Sequence, residues 1–231
     1  MLMLALESSA KAASAALFEG EELLALSMQN GGLTHSRTLL PMTEDLFKNM
    51  GRELRELDVI AVAHGPGSFT GLRIGMAEAK GLAWALEKPV IGVSTLEAMA
   101  CGGPTMEGAM LCCAMDARRG QVYNALFEVR EGEPCRLTED RAISIAALER
   151  ELAAGKKSWI LLGDGAKLCY NELDRTRVAV QLAPELLRLQ SARGVGLAAR
   201  KHEPRPGQEL LPVYLRLSQA ERERQARMNE K

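Results

Sequence analysis

Glycines, hydroxyls and an arginine crowd the stretch His64-Gly65-Pro66-Gly67-Ser68-Phe69-Thr70-Gly71-Leu72-Arg73-Ile74-Gly75, between an apolar run at residues 59–63 and a helical pattern. A glycine-rich turn from strand to helix offers backbone N–H groups to an anion or to another chain. The helix N-terminus adds a favourable partial charge. In the functional version Ser68 and Thr70, with the N–H groups near Gly71, grip an anion. In the structural version the glycines let two backbones pack closely while Phe69 and Leu72 plug a core. The stretch is no P-loop, since no Gly-Lys-Ser/Thr follows at that spacing, and Pro66 and Phe69 stand where a dinucleotide turn needs other geometry.

Two carboxylates, Glu7 and Asp116, fall at the ends of predicted strands. Facing a shared cleft they could hold Mg²⁺ through waters or orient a nucleophile; otherwise they cap turns. Glu7 places its charge about 1.5 Å farther out than aspartate would, which suits an octahedral ion poorly. Gly163-Asp164-Gly165 follows a strand as a phosphate- or adenosine-contacting turn does, so Gly163 and Gly165 join Glu7, Ser68, Thr70 and Asp116 as candidates for a vestigial nucleotide cleft. Arg118 and Arg119 sit at a polar hairpin tip. His35 would need a second ligand four residues on, and that position is Leu39. No metal set, nucleophile constellation or cofactor is expected.

The elements that must position these residues read as follows. Strands are predicted at 3–6, 12–18 and 23–28, and a helix at 36–50. A strand at 59–63, a helix at 72–86, a strand at 90–93 and a helix capped by Thr95 come next. A Gly-Gly-Pro break at 101–105 reads as a boundary. Beyond it come strands at 109–115 and 122–129, a helix at 143–152, a strand at 159–162, a helix at 166–173, a strand at 178–180 and a helix at 191–201. Phe18 follows Glu7 by eleven residues, and Phe127 follows Asp116 by the same interval, in similar local sequence. The echo predicts a duplicated βββαβα unit, an α/β fold with mixed sheets and helices on their faces. The expected units are 1–103, 104–217 and a polar tail, 218–231.

Composition narrows the function classes. The 231 residues are 47% hydrophobic, ample for a core, and the net charge of -1 is not that of a protein that grips nucleic acid alone. Nine aromatic residues argue against an extended stacking platform for single-stranded bases. Five cysteines without a CxxC spacing suit buried thiols in the cytoplasm, and no signal peptide or membrane span is expected.

Several segments resemble the bacterial TsaB family, formerly called YeaZ. They are Leu4-Ala5-Leu6-Glu7-Ser8-Ser9, His35-Ser36-Arg37-Thr38-Leu39-Leu40-Pro41, the loop from Gly65 to Gly75, Gly92-Val93-Ser94-Thr95-Leu96, Asp116-Ala117-Arg118-Arg119-Gly120-Gln121-Val122-Tyr123 and Leu211-Pro212-Val213-Tyr214-Leu215-Arg216. The resemblance implies an actin-like ATPase (ASKHA) fold of two ribonuclease-H-like halves. It also implies a role in forming N6-threonylcarbamoyladenosine at position 37 of tRNAs that read ANN codons. In that role the chain is a non-catalytic scaffold for the homologous TsaD, joined by the TsaE ATPase, and a homodimer when alone; tRNA is met only through the complex. Many relatives carry aspartate where this chain has Glu7, which fits a scaffold. The docking surface implied by position lies on the first-half helices, at Leu39, Met42, Leu46, Leu72, Arg73, Ile74, Met76, Ala77 and Lys80. The competing readings are an actin-like ATPase or kinase using Glu7 and Asp116 around Mg-nucleotide, and direct tRNA binding, which fits poorly with a net charge near zero.

Overall fold

Along β1 (Leu2–Glu7), Leu2, Leu4 and Leu6 enter one apolar core while Met3 and Ala5 enter another. This is the two-residue alternation of a strand covered on both faces. The computed structural model describes residues 1–216. β2 (Ala13–Glu19) and β3 (Glu22–Gln29) continue from β1 as an antiparallel meander. The chain then switches to helical spacing, and α1 (His35–Met50) lays Leu39, Met42, Leu46 and Phe47 on the Leu4 side of the sheet. It ends at Gly51, whose φ of 63° is the left-handed cap glycine accepts. β4 (Val59–Gly65), α2 (Phe69–Leu86) and β5 (Val90–Ser94) add parallel crossovers, giving the order β3-β2-β1-β4-β5.

α3 (Thr95–Cys101) leads into the second half. Its cap is Ser94, whose Oγ accepts the Glu97 N–H at 3.2 Å, and not the expected Thr95, whose hydroxyl is buried without a partner. Both residue types suit a cap; the backbone leaves the strand one residue sooner than the pattern suggests. β6 (Met110–Asp116), β7 (Gln121–Arg130), β8 (Glu133–Arg136) and β9 (Arg141–Ser144) come before α4 (Ile145–Ala154). The helix expected from 143 therefore begins two residues later, because Ile143 is taken into pairing with Val122. β10 (Ser158–Leu162), α5 (Ala166–Glu172) and β11 (Ala179–Leu182) complete the sheet β11-β10-β6-β7-β8. Each half thus has an antiparallel meander followed by two parallel crossovers. It is the ribonuclease-H-like unit duplicated, the actin-like ATPase fold.

The duplication is real, but the eleven-residue echo is displaced by one position. Phe18 pairs with Met3, and Phe127 pairs with Leu111. Four residues along the strand from those partners stand Glu7 and Met115 respectively. Glu7 therefore corresponds to Met115, and Asp116 lies one step beyond, because the second hairpin holds one residue more between these pairs and its strands stay paired one step further.

α6 (Glu185–Arg188) and α7 (Ala192–Ala199) follow the second sheet. α7 packs back on the first: Ala192, Val195 and Ala198 share a core with Met3, Phe18 and Ala61. Residues beyond it stay there as a strap. Arg205 and Val90 exchange backbone hydrogen bonds of 2.8 Å, and the Val213 N–H donates to the His64 carbonyl at 2.8 Å. α7 and the strap, expected within 104–217, thus pack on the first half. The expected tail, 218–231, lies outside the described residues. Among the described residues no helix is long and apolar enough to cross a membrane.

Candidate functional site

Between the halves lies a cleft of about 530 Å³. The first half supplies Ser9, Lys11 and Ser68, the second supplies Asp116, Arg118 and Asp164, and the strap supplies Tyr214 and Arg216. The strap is what closes the cleft at one end. Tyr214 stacks on Phe69 with ring centroids 4.1 Å apart, and Arg73 lies 4.2 Å over the Phe69 ring while its Nε donates to the Tyr214 hydroxyl at 3.2 Å. Arg216 crosses to the other half, where Nη1 donates to the Ala117 carbonyl at 2.6 Å. Phe69 is therefore a stacking partner of the strap and not a core plug; Leu72 alone of that expected pair is fully buried.

The glycine loop packs backbone against backbone. The Ser68 N–H donates to the Ser9 carbonyl at 2.7 Å, and the Ser8 hydroxyl donates to the Gly71 carbonyl at 2.9 Å. A Cβ on Gly71 would collide with the Ser8 carbonyl oxygen, so glycine is required there by contact. Ser68 lines the cleft, but its Oγ accepts the Gly71 N–H at 3.3 Å and caps α2. Thr70 is exposed in the first turn of α2 and does not line the cleft.

The two carboxylates come out unlike each other. Glu7 has no exposed surface; Oε1 accepts the Ser9 N–H at 2.6 Å and Oε2 is buried without a partner. Burial pushes its carboxyl up to about 7, and the nearby Asp164 charge pushes the same way, against the hydrogen bonds from Ser9 that favour ionisation. Asp116 reaches the cleft, and its Oδ1 accepts the Arg118 N–H at 2.7 Å. That bond braces a hairpin tip in which Arg118 and Arg119 hold φ of 66° and 58°. Gly163 and Gly165 flank the cleft without lining it, pressed against β6 where a Cβ on either would meet its backbone. The lining residue of that turn is Asp164. Desolvation raises its carboxyl above the usual range, against a 2.9 Å bond from the Gln190 amide. Asp164, Tyr214 and Arg216 were missed as site residues, although the sequence motifs containing them were conspicuous.

A Mg-nucleotide site of the actin-like kind asks for ionised carboxylates at the cleft floor. Here the strand-end glutamate is withdrawn beneath the floor, its carboxyl pushed up to about 7 by burial and one oxygen committed to the backbone. Glu7 therefore does not fit the part of a metal-holding carboxylate in such a site.

The helices of the first half need a correction. Leu39, Met42, Leu46, Leu72 and Met76, expected to dock a partner, are at most 6% exposed and pack inside the chain. Helical apolar spacing marks the face toward a helix's own sheet, so a partner would meet the opposite face. Of the expected set, Arg73 and Ala77 are exposed and Ile74 and Lys80 half-buried. Leu40, Pro41 and Glu44 of α1 and Gly81 and Ala85 of α2 are exposed as well. Thr43 and Glu78 join the two helices, the Thr43 hydroxyl donating to Glu78 Oε1 at 3.1 Å. His35, which precedes this face, bonds through Nε2 to the Ala10 carbonyl at 2.7 Å.

Residues 29–202 match the family described as TsaD, tRNA N6-adenosine threonylcarbamoyltransferase. The tRNA threonylcarbamoyladenosine biosynthesis protein TsaB of Bacillus subtilis (strain 168) is 31% identical, over 96% of this chain and 96% of that protein. TsaB of Escherichia coli (strain K12) is 35% identical over 71% of this chain and 72% of its own length. In structure, a Pseudomonas aeruginosa protein described as similar to the peptidase YeaZ superposes with a TM-score of 0.77 at 31% identity, covering 93% of this chain and 99% of its own.

Proposed function

The chain belongs to the TsaB (YeaZ) family of tRNA threonylcarbamoyladenosine biosynthesis proteins, and from that premise we propose that it is the non-catalytic scaffold of the complex that makes N6-threonylcarbamoyladenosine at position 37 of ANN-reading tRNAs. Its work is to bind and support the catalytic homologue TsaD, with the TsaE ATPase joining the assembly and tRNA reached through the complex. It acts in the cytoplasm and pairs with itself when TsaD is absent.

One observation carries the reading: the strand-end carboxylate that a nucleotide machine would use is Glu7, sealed below the cleft with no exposed surface, its carboxyl pushed up to about 7 by burial. What remains available is surface. The outward face of α1 and α2 combines small residues (Ala77, Gly81, Ala85) with Leu40 and Ile74, which lets another helix pair approach closely and bury apolar area.

Light scattering tests the docking and calorimetry the lost chemistry. The chain mixed with TsaD is expected to give a mixed complex that Ala77→Arg weakens at least about tenfold with an unchanged circular dichroism spectrum. Mg-ATP added to the chain alone is expected to give no saturable heat. Saturable Mg-ATP binding abolished by Glu7→Ala would favour the ATPase reading and contradict this one.

A further inference from the structure

Trp84 is the most conspicuous exposed residue of α2, at the end of the helix where the outward face gives way to the strap. Its side chain is 82% exposed on α2, although a large aromatic is ordinarily among the most buried groups in a fold. It borders a groove of about 680 Å³ formed where the end of α2 meets the returning strap. Lys80 and Lys88 stand on the α2 side and Arg205 on the strap side. Among the described residues none of these three cations enters an ion pair. Glu87 is the one carboxylate on the rim, and it too is unpaired.

The groove is preformed. Pro89, Pro204 and Pro206 line it, each with a fixed φ, and the two-way backbone pairing of Arg205 with Val90 holds the strap side in register. Rigid walls reduce the ordering cost of binding, and a tryptophan contributes large contact area for two torsions. The groove adjoins the surface proposed for TsaD: Trp84 stands seven residues after Ala77, about 20° round the same side of α2, and from there Lys88, Arg205 and the prolines carry the groove away toward the strap.

We propose that this groove docks a short acidic segment of a partner protein, with an apolar side chain laid on Trp84 between the prolines and carboxylates reaching Lys80, Lys88 and Arg205. Charge complementarity selects the sign of the ligand, and the surroundings select its length. Arg205 also borders a neighbouring cavity lined by Glu97, Glu203 and Glu209. An RNA backbone, charged at every nucleotide, would run on into that negative field; a peptide of a few residues ends within the groove. A near-neutral chain with a local positive groove suits recognition of an acidic peptide and not a long polyanion.

The intrinsic fluorescence of Trp84 reads binding in the full chain, once Trp159, 5% exposed, has been replaced by phenylalanine to silence it. The probe is a blocked pentapeptide of leucine flanked by two glutamates on each side. Its lysine counterpart and oligouridylate serve as competing ligands. The glutamate peptide is expected to shift the emission saturably at low ionic strength and to bind at least about fivefold more weakly to the Lys80→Ala, Lys88→Ala double variant. Glu87→Gln should bind it more tightly, and added salt should weaken it. No saturable shift with the glutamate peptide, equal binding of the lysine peptide, or stronger binding of oligouridylate would each overturn the proposal. Because none of these readings involves TsaD, a failure of the scaffold reading would show separately, in the light-scattering experiment.

Discussion

A carboxyl group raised to about 7 by burial makes stability depend on pH in a stated direction. Glu7 is more basic folded than unfolded, so the folded chain holds its proton where the unfolded chain has lost it. Its contribution is complete below the ordinary carboxyl value of 4.5 and is lost as pH rises through about 7. Glu78, also raised to about 7 by burial despite its bond from Thr43, acts in the same window. Glu7→Gln should therefore flatten much of the decline in melting temperature between those pH values. It should also make the chain more stable than the parent at pH 8, by up to about 3 kcal/mol. A variant whose melting temperature falls with pH as steeply as the parent's would refute the assignment. The residue type and strand-end position of Glu7 were legible in the sequence. Its withdrawal beneath the cleft was not, because that depends on Ser9 and Asp164, which only the packed halves bring to it.

Among the elements, α7 is seated on the first half where it crosses α3. Gly194 lets α7 approach the Ala98 carbonyl of α3, and Gly196 lets the same helix lie against the Phe18 ring. A methyl group at 194 has no room to enter without moving backbone. Gly194→Ala should thus cost about 1–3 kcal/mol or more in chemical denaturation, though alanine is the better helix former. An unchanged denaturation midpoint would show that the helices can part without penalty. Element types were readable from periodicity because β1, α1 and α2 follow their periods cleanly. The destination of α7 was not, since its small apolar residues fit either sheet. The same periodicity misdirected the docking set: the regular spacing of Leu39, Met42 and Leu46 reports the core and says nothing of the opposite face.

For the molecule as a whole, duplication explains both the shared frame and where the halves depart from symmetry. Two sheets of matching order still frame a cleft, but the single-residue difference between their opening turns leaves Met115 where symmetry would set a counterpart of Glu7. The strap then ties the lobes across the cleft mouth, from Tyr214 on Phe69 to Arg216 on Ala117. That crossing could not be foreseen from local pattern, although the segment from Leu211 to Arg216 was recognisable as a motif. On the scaffold reading, usefulness has moved from the cleft to the outer helices. Reconstituted threonylcarbamoyl transfer to tRNA, with TsaD, TsaE and the threonylcarbamoyl adenylate supplied, tests it most directly through two variants compared side by side. Asp116→Ala with Asp164→Ala in the cleft should leave the rate within about twofold of the parent, while Ala77→Arg on α2 should lower it by at least about tenfold. Loss of activity in the cleft variant with the α2 variant unimpaired would contradict the account.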